Sequence, residues 1–332
     1  MAQTSTEWKL LESRPIPAGG TRVISIANQK GGVAKTTTSV NLGTALALRG
    51  HRVLIVDLDP QANATTGLGI DRRNVDKSTY DVLAGESPVS AVTLATAVKN
   101  LSLAPASLDL AGAEIELAGQ MAREKRLAEA LASTAGEYEL VFIDCPPSLG
   151  LLTVNALAAA EDLIVPVQCE YYALEGLGQL VETADRVRRS LNPSLRISGF
   201  VLTMFDGRTK LASQVADEVR AHFGDLVYDS VIPRSVRLSE APSFGEPVVT
   251  LDPSSRGAVA YRKLAAEVEA RYEMKVHVPP PPPDKAPKAA DDLVSVVEGP
   301  RGPKGRGYGT KAPEPPGVDE AFPRPEFWTV YR

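Results

Sequence analysis

A glycine turn carrying two lysines sits between a short apolar run and a helical pattern near the start of this chain. The run is Val23-Ile24-Ser25-Ile26-Ala27, of the length and β-branched content of a buried strand. The turn is Asn28-Gln29-Lys30-Gly31-Gly32-Val33-Ala34, and Lys35-Thr36-Thr37-Thr38 opens an apolar-periodic stretch stopped by Gly50. Strand, turn and helix N-terminus aim free backbone N–H groups and a positive dipole end at one point, which suits phosphate. Gly31 and Gly32 let the backbone approach an anion, Lys35 can reach the outer phosphates, and the Thr36 hydroxyl can ligate Mg²⁺. The bland alternative is an ordinary strand–turn–helix connection, which gives the Lys-Thr pair no purpose.

Two carboxylates complete the pattern. The run RVLIVD at 52–57 ends in Asp57-Leu58-Asp59-Pro60-Gln61, and ELVFID at 139–144 ends in Asp144-Cys145-Pro146-Pro147-Ser148. Asp59, just past a strand end, can orient a water or hold one bound to Mg²⁺; the alternative is a turn aspartate before proline. Apolar residues closing on Asp144 make a Walker B pattern, in which the carboxylate contacts Mg²⁺ through water.

These residues need a scaffold that puts several strand ends side by side. Strand candidates fall at 23–27, 52–57, 101–104, 139–144, 163–168, 197–203 and 226–232, with helical patterns notably at 111–134, 173–191, 210–223 and 255–274. Nearly continuous apolar strands alternating with helices predict an α/β fold: a doubly wound, mostly parallel sheet flanked by helices. Ligands on such sheets sit outside the carboxyl ends of the strands, where every motif above falls.

The chain has 332 residues and is 43% hydrophobic, enough for one large α/β domain with extensions or for two small domains. Residues 1–21 read as a flexible N-terminal arm with Trp8, Leu10 and Leu11, and 22–275 as the folded domain. Residues 276–332 hold half of the 26 prolines, five in a row at Pro279–Pro283, and read as a disordered Pro-rich tail. The tail closes on Phe327-Trp328-Thr329-Val330-Tyr331, which is either a partner-docking motif or a plain hydrophobic terminus. No apolar run is long enough for a membrane span and the start lacks the order of a signal peptide, so a cytoplasmic chain without membrane contact is expected. Cys145 and Cys169 lack metal-binding spacing and read as core residues. A net charge of −5 argues mildly against nucleic acid without excluding a local basic face.

The generic phosphate loop G-x-x-x-x-G-K-[ST] does not fit, because Gln29 and Ala34 occupy its glycine positions. The loop instead resembles K-G-G-x-G-K-[ST], the deviant Walker A loop of the ParA/MinD family of ATPases, with one departure at Ala34. A methyl group there is tolerable at φ < 0 and costly otherwise. The run Val56–Gly69 resembles the family's switch I, and Pro146-Pro147-Ser148-Leu149-Gly150 its switch II. Gln168–Leu177 (QCEYYALEGL), Phe205–Val215 and Ile232–Gly245 resemble the Soj-like chromosome-partitioning branch.

The resemblance spans about residues 22–275. It implies a P-loop NTPase using ATP and Mg²⁺. Nucleotide contacts fall on Lys30, Gly31, Gly32, Val33, Ala34, Lys35, Thr36 and Thr37, with Met204 and Pro233 lining the adenine. It gives Asp59, beside Lys35, the hydrolytic role, with Asp57 as inner partner, and Thr36, Asp59 and Asp144 the metal. Lys30 becomes the signature lysine that reaches across a face-to-face homodimer to the partner's ATP, where the residue alone could be a solvated loop lysine. Arg208 and Arg237 match arginines that bind double-stranded DNA without sequence preference. A ParB-type centromere-binding partner would stimulate hydrolysis, and the protein would associate with the nucleoid. Rival readings are a MinD-like positioning ATPase and a slow nucleotide-gated scaffold recruiting polar or cell-division partners.

Overall fold

The computed structural model describes residues 15, 16, 19–170 and 175–275. The chain divides into two units, Met1–Pro279 and Pro280–Arg332, and the second lies outside the described residues. So do Trp8, Leu10 and Leu11 of the arm, the proline run and the terminal aromatics. The end of the arm is anchored: the Ile16 N–H donates to Tyr272 O at 3.3 Å and Thr21 Oγ1 donates to Tyr138 O at 2.7 Å.

Among the described residues one sheet forms, from β1 (Arg22–Ile26), β2 (Val53–Asp57), β3 (Leu94–Ala95), β4 (Leu101–Ala104), β5 (Leu140–Asp144), β6 (Asp162–Gln168) and β7 (Arg196–Thr203). The order is β3-β4-β2-β5-β1-β6-β7, parallel throughout except for β3 against β4. The helices are α1 (Lys35–Leu48), α2 (Asn63–Gly67), α3 (Thr79–Ala84), α4 (Val89–Val92), α5 (Leu110–Glu116), α6 (Arg126–Leu131), α7 (Leu151–Ala159), α8 (Glu175–Ser190), α9 (Lys210–Phe223), α10 (Val236–Glu240), α11 (Val248–Leu251) and α12 (Arg256–Arg271). The expected mostly parallel, helix-flanked sheet is the fold found.

Alternation along β1 shows how both faces are covered. Ile24 and Ile26 join the core shared with Leu42 and Leu46 of α1, while Ser25 between them donates to Ala156 O of α7 at 2.8 Å. Helix α1 is buried almost all round, because α12 closes its outer side; Thr38 Oγ1 and Tyr261 Oη lie 3.1 Å apart. Gly43 lets α1 lie tight on β2, since a Cβ there would stand 3.0 Å from Ile55 Cδ1.

Two expected elements differ. The stretch 111–134 is not one helix: α5 ends at Glu116 and α6 starts at Arg126, with short 3₁₀ turns between and after them. Buried Asn155 of α7 inserts its amide at the break. Its Oδ1 accepts the Leu127 N–H at 3.2 Å and its Nδ2 donates to Arg123 O at 2.9 Å, the two groups a continuous helix would join to each other. The segment 226–232 is not a strand. It runs beside β7, yet the Asp229 and Ser230 N–H groups donate to the Glu267 carboxylate of α12 at 2.7 and 2.9 Å, leaving only isolated bridges at Val227 and Pro233. The two-residue β3 was not expected.

Candidate functional site

The parallel registers align the ends of three strands. Asp57 of β2 pairs with Asp144 of β5, which pairs with Ile26 of β1, so the two aspartates lie beside the start of the glycine turn. Asn28 pins that turn from below. Its Nδ2 donates to Pro166 O of β6 at 2.8 Å, and its Oδ1 accepts the Lys30 N–H at 3.0 Å, a local turn that bends the chain back. Gly32 (φ 73°) and Ala34 (φ 68°) are both left-handed. A Cβ on Gly32 would meet nothing within 4 Å, so the loop is an open cradle. The methyl of Ala34 therefore falls in the costly case, at about 1–2 kcal/mol relative to an unstrained residue.

Lys35 begins α1 and is only 7% exposed. Its Nζ donates to Lys30 O at 3.0 Å, so the ammonium folds back beneath the loop. Burial lowers its pKa, while Asp144, Cys145 and Asp59 hold it up. Ser39, one turn along α1, donates to Asp144 Oδ1 at 2.8 Å. Burial pushes Asp144 up to about 8, with the Asp57 charge adding to the rise and the Thr36 and Ser39 hydroxyls opposing it. Burial also raises Asp57, to about 6, against the hydrogen bonds of Thr65 and Asp59. Asp57 accepts the Thr65 N–H at 2.9 Å, Thr65 Oγ1 at 2.8 Å and the Asp59 N–H at 3.1 Å. Asp59 is 6% exposed and accepts the Gln61 N–H at 2.9 Å.

Asp144 Oδ2 is buried without a hydrogen-bond partner. Such an orphan beside Thr36 and Lys35 fits a group that brings its own donors, as a metal-bound water does. Among the described residues no three His, Cys, Asp or Glu side chains converge to hold a metal alone. The donor set thus suits Mg²⁺ held by one hydroxyl, water and the ligand's own phosphates. Thr36 and Thr37 also line a cavity of about 200 Å³ with Asn41, Asn63, Leu238 and Pro247.

The late strand ends meet the same loop. Thr203 Oγ1 of β7 donates to Val33 O at 3.0 Å. The Phe205 N–H donates to Ile232 O at 3.1 Å and the Arg234 N–H to Phe205 O at 3.0 Å, which brings the Met204 and Pro233 segments together. Met204 is left-handed (φ 51°), with Gln168 Nε2 at 3.5 Å from its Sδ. Arg208 precedes α9 and is gripped by Asp206, Nε–Oδ1 2.8 Å and Nη2–Oδ2 2.7 Å. Arg237 lies on α10 between Glu240 (3.3 Å) and Asp252 (3.4 Å). Both arginines are exposed and both already carry a carboxylate partner.

Asn28, Ser39 and Thr65 were missed from the sequence. Each is a small polar residue that binds a functional group rather than a ligand. Ser39 and Thr65 had a faint signal in being polar within runs that had to be buried. Cys145 and Cys169 are both buried and unpaired, as core residues are.

A family model described as an AAA domain matches residues 21–197. The sporulation initiation inhibitor protein Soj of Bacillus subtilis is 56% identical over 249 residues, covering 75% of this chain and 98% of that protein. The chromosome partitioning protein ParA of Caulobacter vibrioides is 57% identical over 252 residues, covering 75% of this chain and 94% of that protein. Among solved structures, cobyrinic acid a,c-diamide synthase from Mycobacterium smegmatis, with bound ATP analogue and magnesium, superposes with TM-score 0.68 at 42% identity, covering 76% of this chain and 96% of that one. A pinned phosphate loop, a buried lysine and two strand-end aspartates, carried on a sequence more than half identical to the Soj and ParA relatives over 75% of the chain, identify it as a member of the ParA/Soj family of chromosome-partitioning ATPases.

Proposed function

We propose that this chain is a Mg²⁺-dependent ATPase whose nucleotide state governs its pairing with a second copy and its hold on DNA. The observation that carries the reading is the carboxyl edge of the sheet, where the buried Lys35 ammonium lies under an open loop beside the unpartnered Oδ2 of Asp144. Lys35 and the loop N–H groups from Lys30 to Thr37 grip the phosphates. Thr36 and, through water, Asp144 hold Mg²⁺, whose chemistry is to draw charge from the phosphate oxygens. Asp59 orients the attacking water, and Met204 and Pro233 flank the base.

Lys30 acts in trans on the partner's nucleotide in an ATP-bound dimer, and its partly exposed ammonium supports that role. Arg208 and Arg237 contact DNA phosphates without reading sequence, so binding falls steeply with salt. Their carboxylate partners set a cost that DNA must exceed, which favours the doubled surface of a dimer. A ParB-type protein stimulates hydrolysis, and the fall in DNA affinity releases the chain, giving a cytoplasmic, nucleoid-associated cycle. The ATPase domain comprises residues 22–275, with 1–21 as an N-terminal arm and 276–332 as a Pro-rich tail in the sequence. Among the described residues no helix is long and apolar enough to cross a membrane.

DNA co-sedimentation with no nucleotide, ADP, and a non-hydrolysable ATP analogue tests this. Retention only with the analogue is expected; equal retention in all three states contradicts the switch. One observation favours a second reading. The left-handed Ala34 strains the loop and fits a slow, scaffold-like turnover. Single-turnover hydrolysis with DNA and a ParB-type protein separates the two, since a scaffold stays slow with both added.

A further inference from the structure

Lys30 is not held only by its backbone. Its Nζ lies 3.9 Å from Oε2 of Glu170, just beyond the end of β6 in the same protomer. That strand also supplies Pro166 O, the acceptor that anchors Asn28 and through it the Lys30 N–H. Strands β1 and β6 are parallel neighbours, with Ile26 opposite Ile164, so the loops leaving them run out side by side. The end of β6 thus reaches this lysine twice, indirectly through the Asn28 side chain and directly by charge. Glu170 belongs to the Gln168–Leu177 run, a stretch to which the nucleotide chemistry assigns no task.

We propose that Glu170 is a positioning residue that parks the Lys30 ammonium on its own subunit, so that trans delivery to a second copy's nucleotide must first break the Lys30–Glu170 pair. The inference rests on the trans role of Lys30 given above. Both side chains are partly exposed, Lys30 at 33% and Glu170 at 49%, which makes the latch weak and reversible. Exposed pairs of this kind shift an equilibrium by about two- to five-fold, and salt weakens them. A weak latch disfavours pairing of subunits without blocking it. The triphosphate of the partner, carrying several negative charges, outcompetes one carboxylate for the ammonium. ADP, lacking the outer phosphate, competes less well. The latch therefore sharpens the difference between the two nucleotide states.

The test is a double-mutant cycle on ATP-analogue-dependent dimerisation, read by sedimentation velocity at low salt, with thermal melting alongside. Glu170→Gln in the wild-type background should tighten dimerisation about two- to five-fold, with the gain fading at high salt and the melting temperature unchanged. In the Lys30→Gln background, followed at protein concentrations high enough to populate its weaker dimer, the same change should do nothing. A merely structural Glu170 would instead alter melting and act equally in both backgrounds, which overturns the latch. So does an unchanged or weakened dimer in Glu170→Gln, the weakened case meaning that Glu170 supports the pair. The trans reading fails separately, if Lys30→Gln alone dimerises and hydrolyses as the wild type does.

Discussion

The two edges of the sheet handle buried charge in opposite ways. At the amino edge every buried acid has cationic company. Glu269 of α12 takes both arms of Arg49, at 2.6 and 2.5 Å, and His51 Nε2 at 2.8 Å. Asp162, first in β6, takes Arg196 Nε at 2.5 Å with Arg22 Nε at 3.6 Å. At the carboxyl edge Asp59 and Asp144 share one buried ammonium, Lys35, and Asp57 faces only the other two aspartates. Left-handed non-glycine residues occur at both edges: Ala34, Ala62 and Met204 follow strands at the carboxyl edge, and Asn100 precedes β4 at the amino edge. The amino edge clamps the fold. The carboxyl edge is left incomplete, to be finished by a ligand that brings both anionic oxygens and a divalent cation.

Mutations should break this contrast in a definite order. Glu269→Ala strands the Arg49 guanidinium at a packed edge and removes the partner of His51 Nε2, and should cost about 3–5 kcal/mol of stability by denaturant unfolding. Nucleotide affinity, measured well below the melting point, should stay unchanged. Lys35→Ala should do the reverse. It removes a charge-assisted contact of about 1.5–3 kcal/mol, a loss of about 10- to 100-fold in ATP affinity by fluorescence titration, with the fold retained.

Asp144→Asn should sharpen the contrast through pH. The folded protein holds this carboxyl protonated up to about 8, whereas an unfolded chain loses the proton near pH ~4. The stability tied to the neutral form is thus full below pH ~4, lost progressively as pH rises, and gone above 8. The ligand-free Asn variant should melt higher than wild type at pH 8 and equal to it near pH 4. The smallest effect belongs to Ala34→Gly. Relief of the left-handed angle outweighs the added freedom of the unfolded chain by about 0.5–1 kcal/mol, visible as a slightly raised melting temperature.

The contrast explains which features could be read in the sequence. β1, β2, β4 and β5 are short apolar runs that must be buried, and their pattern placed them within a residue of where they fold. The places of Asp59 and Asp144 were legible because a charged residue at or just past a strand end has few structural uses, and that of Lys35 because it opens a helix after a glycine turn. The two expected elements that failed both lost backbone groups to a distant side chain. Asn155 splits 111–134 and Glu267 starves 226–232 of ladder bonds, and neither partner is near in sequence. Ala34 was visible as a departure, but only its backbone angle decided that the methyl is strained. Ser39 and Asn28 escaped notice because their partners, Asp144 and Pro166, are far along the chain.

Calorimetric titration of Mg²⁺-ATP at pH 7, in two buffers of different ionisation enthalpy, addresses the incomplete edge most directly. A metal-bound water needs Asp144 as the anion, so binding should release about one proton, and Asp144→Asn should abolish most of that release. Binding without proton release, or with uptake, would contradict a carboxyl edge that waits neutral for its cation.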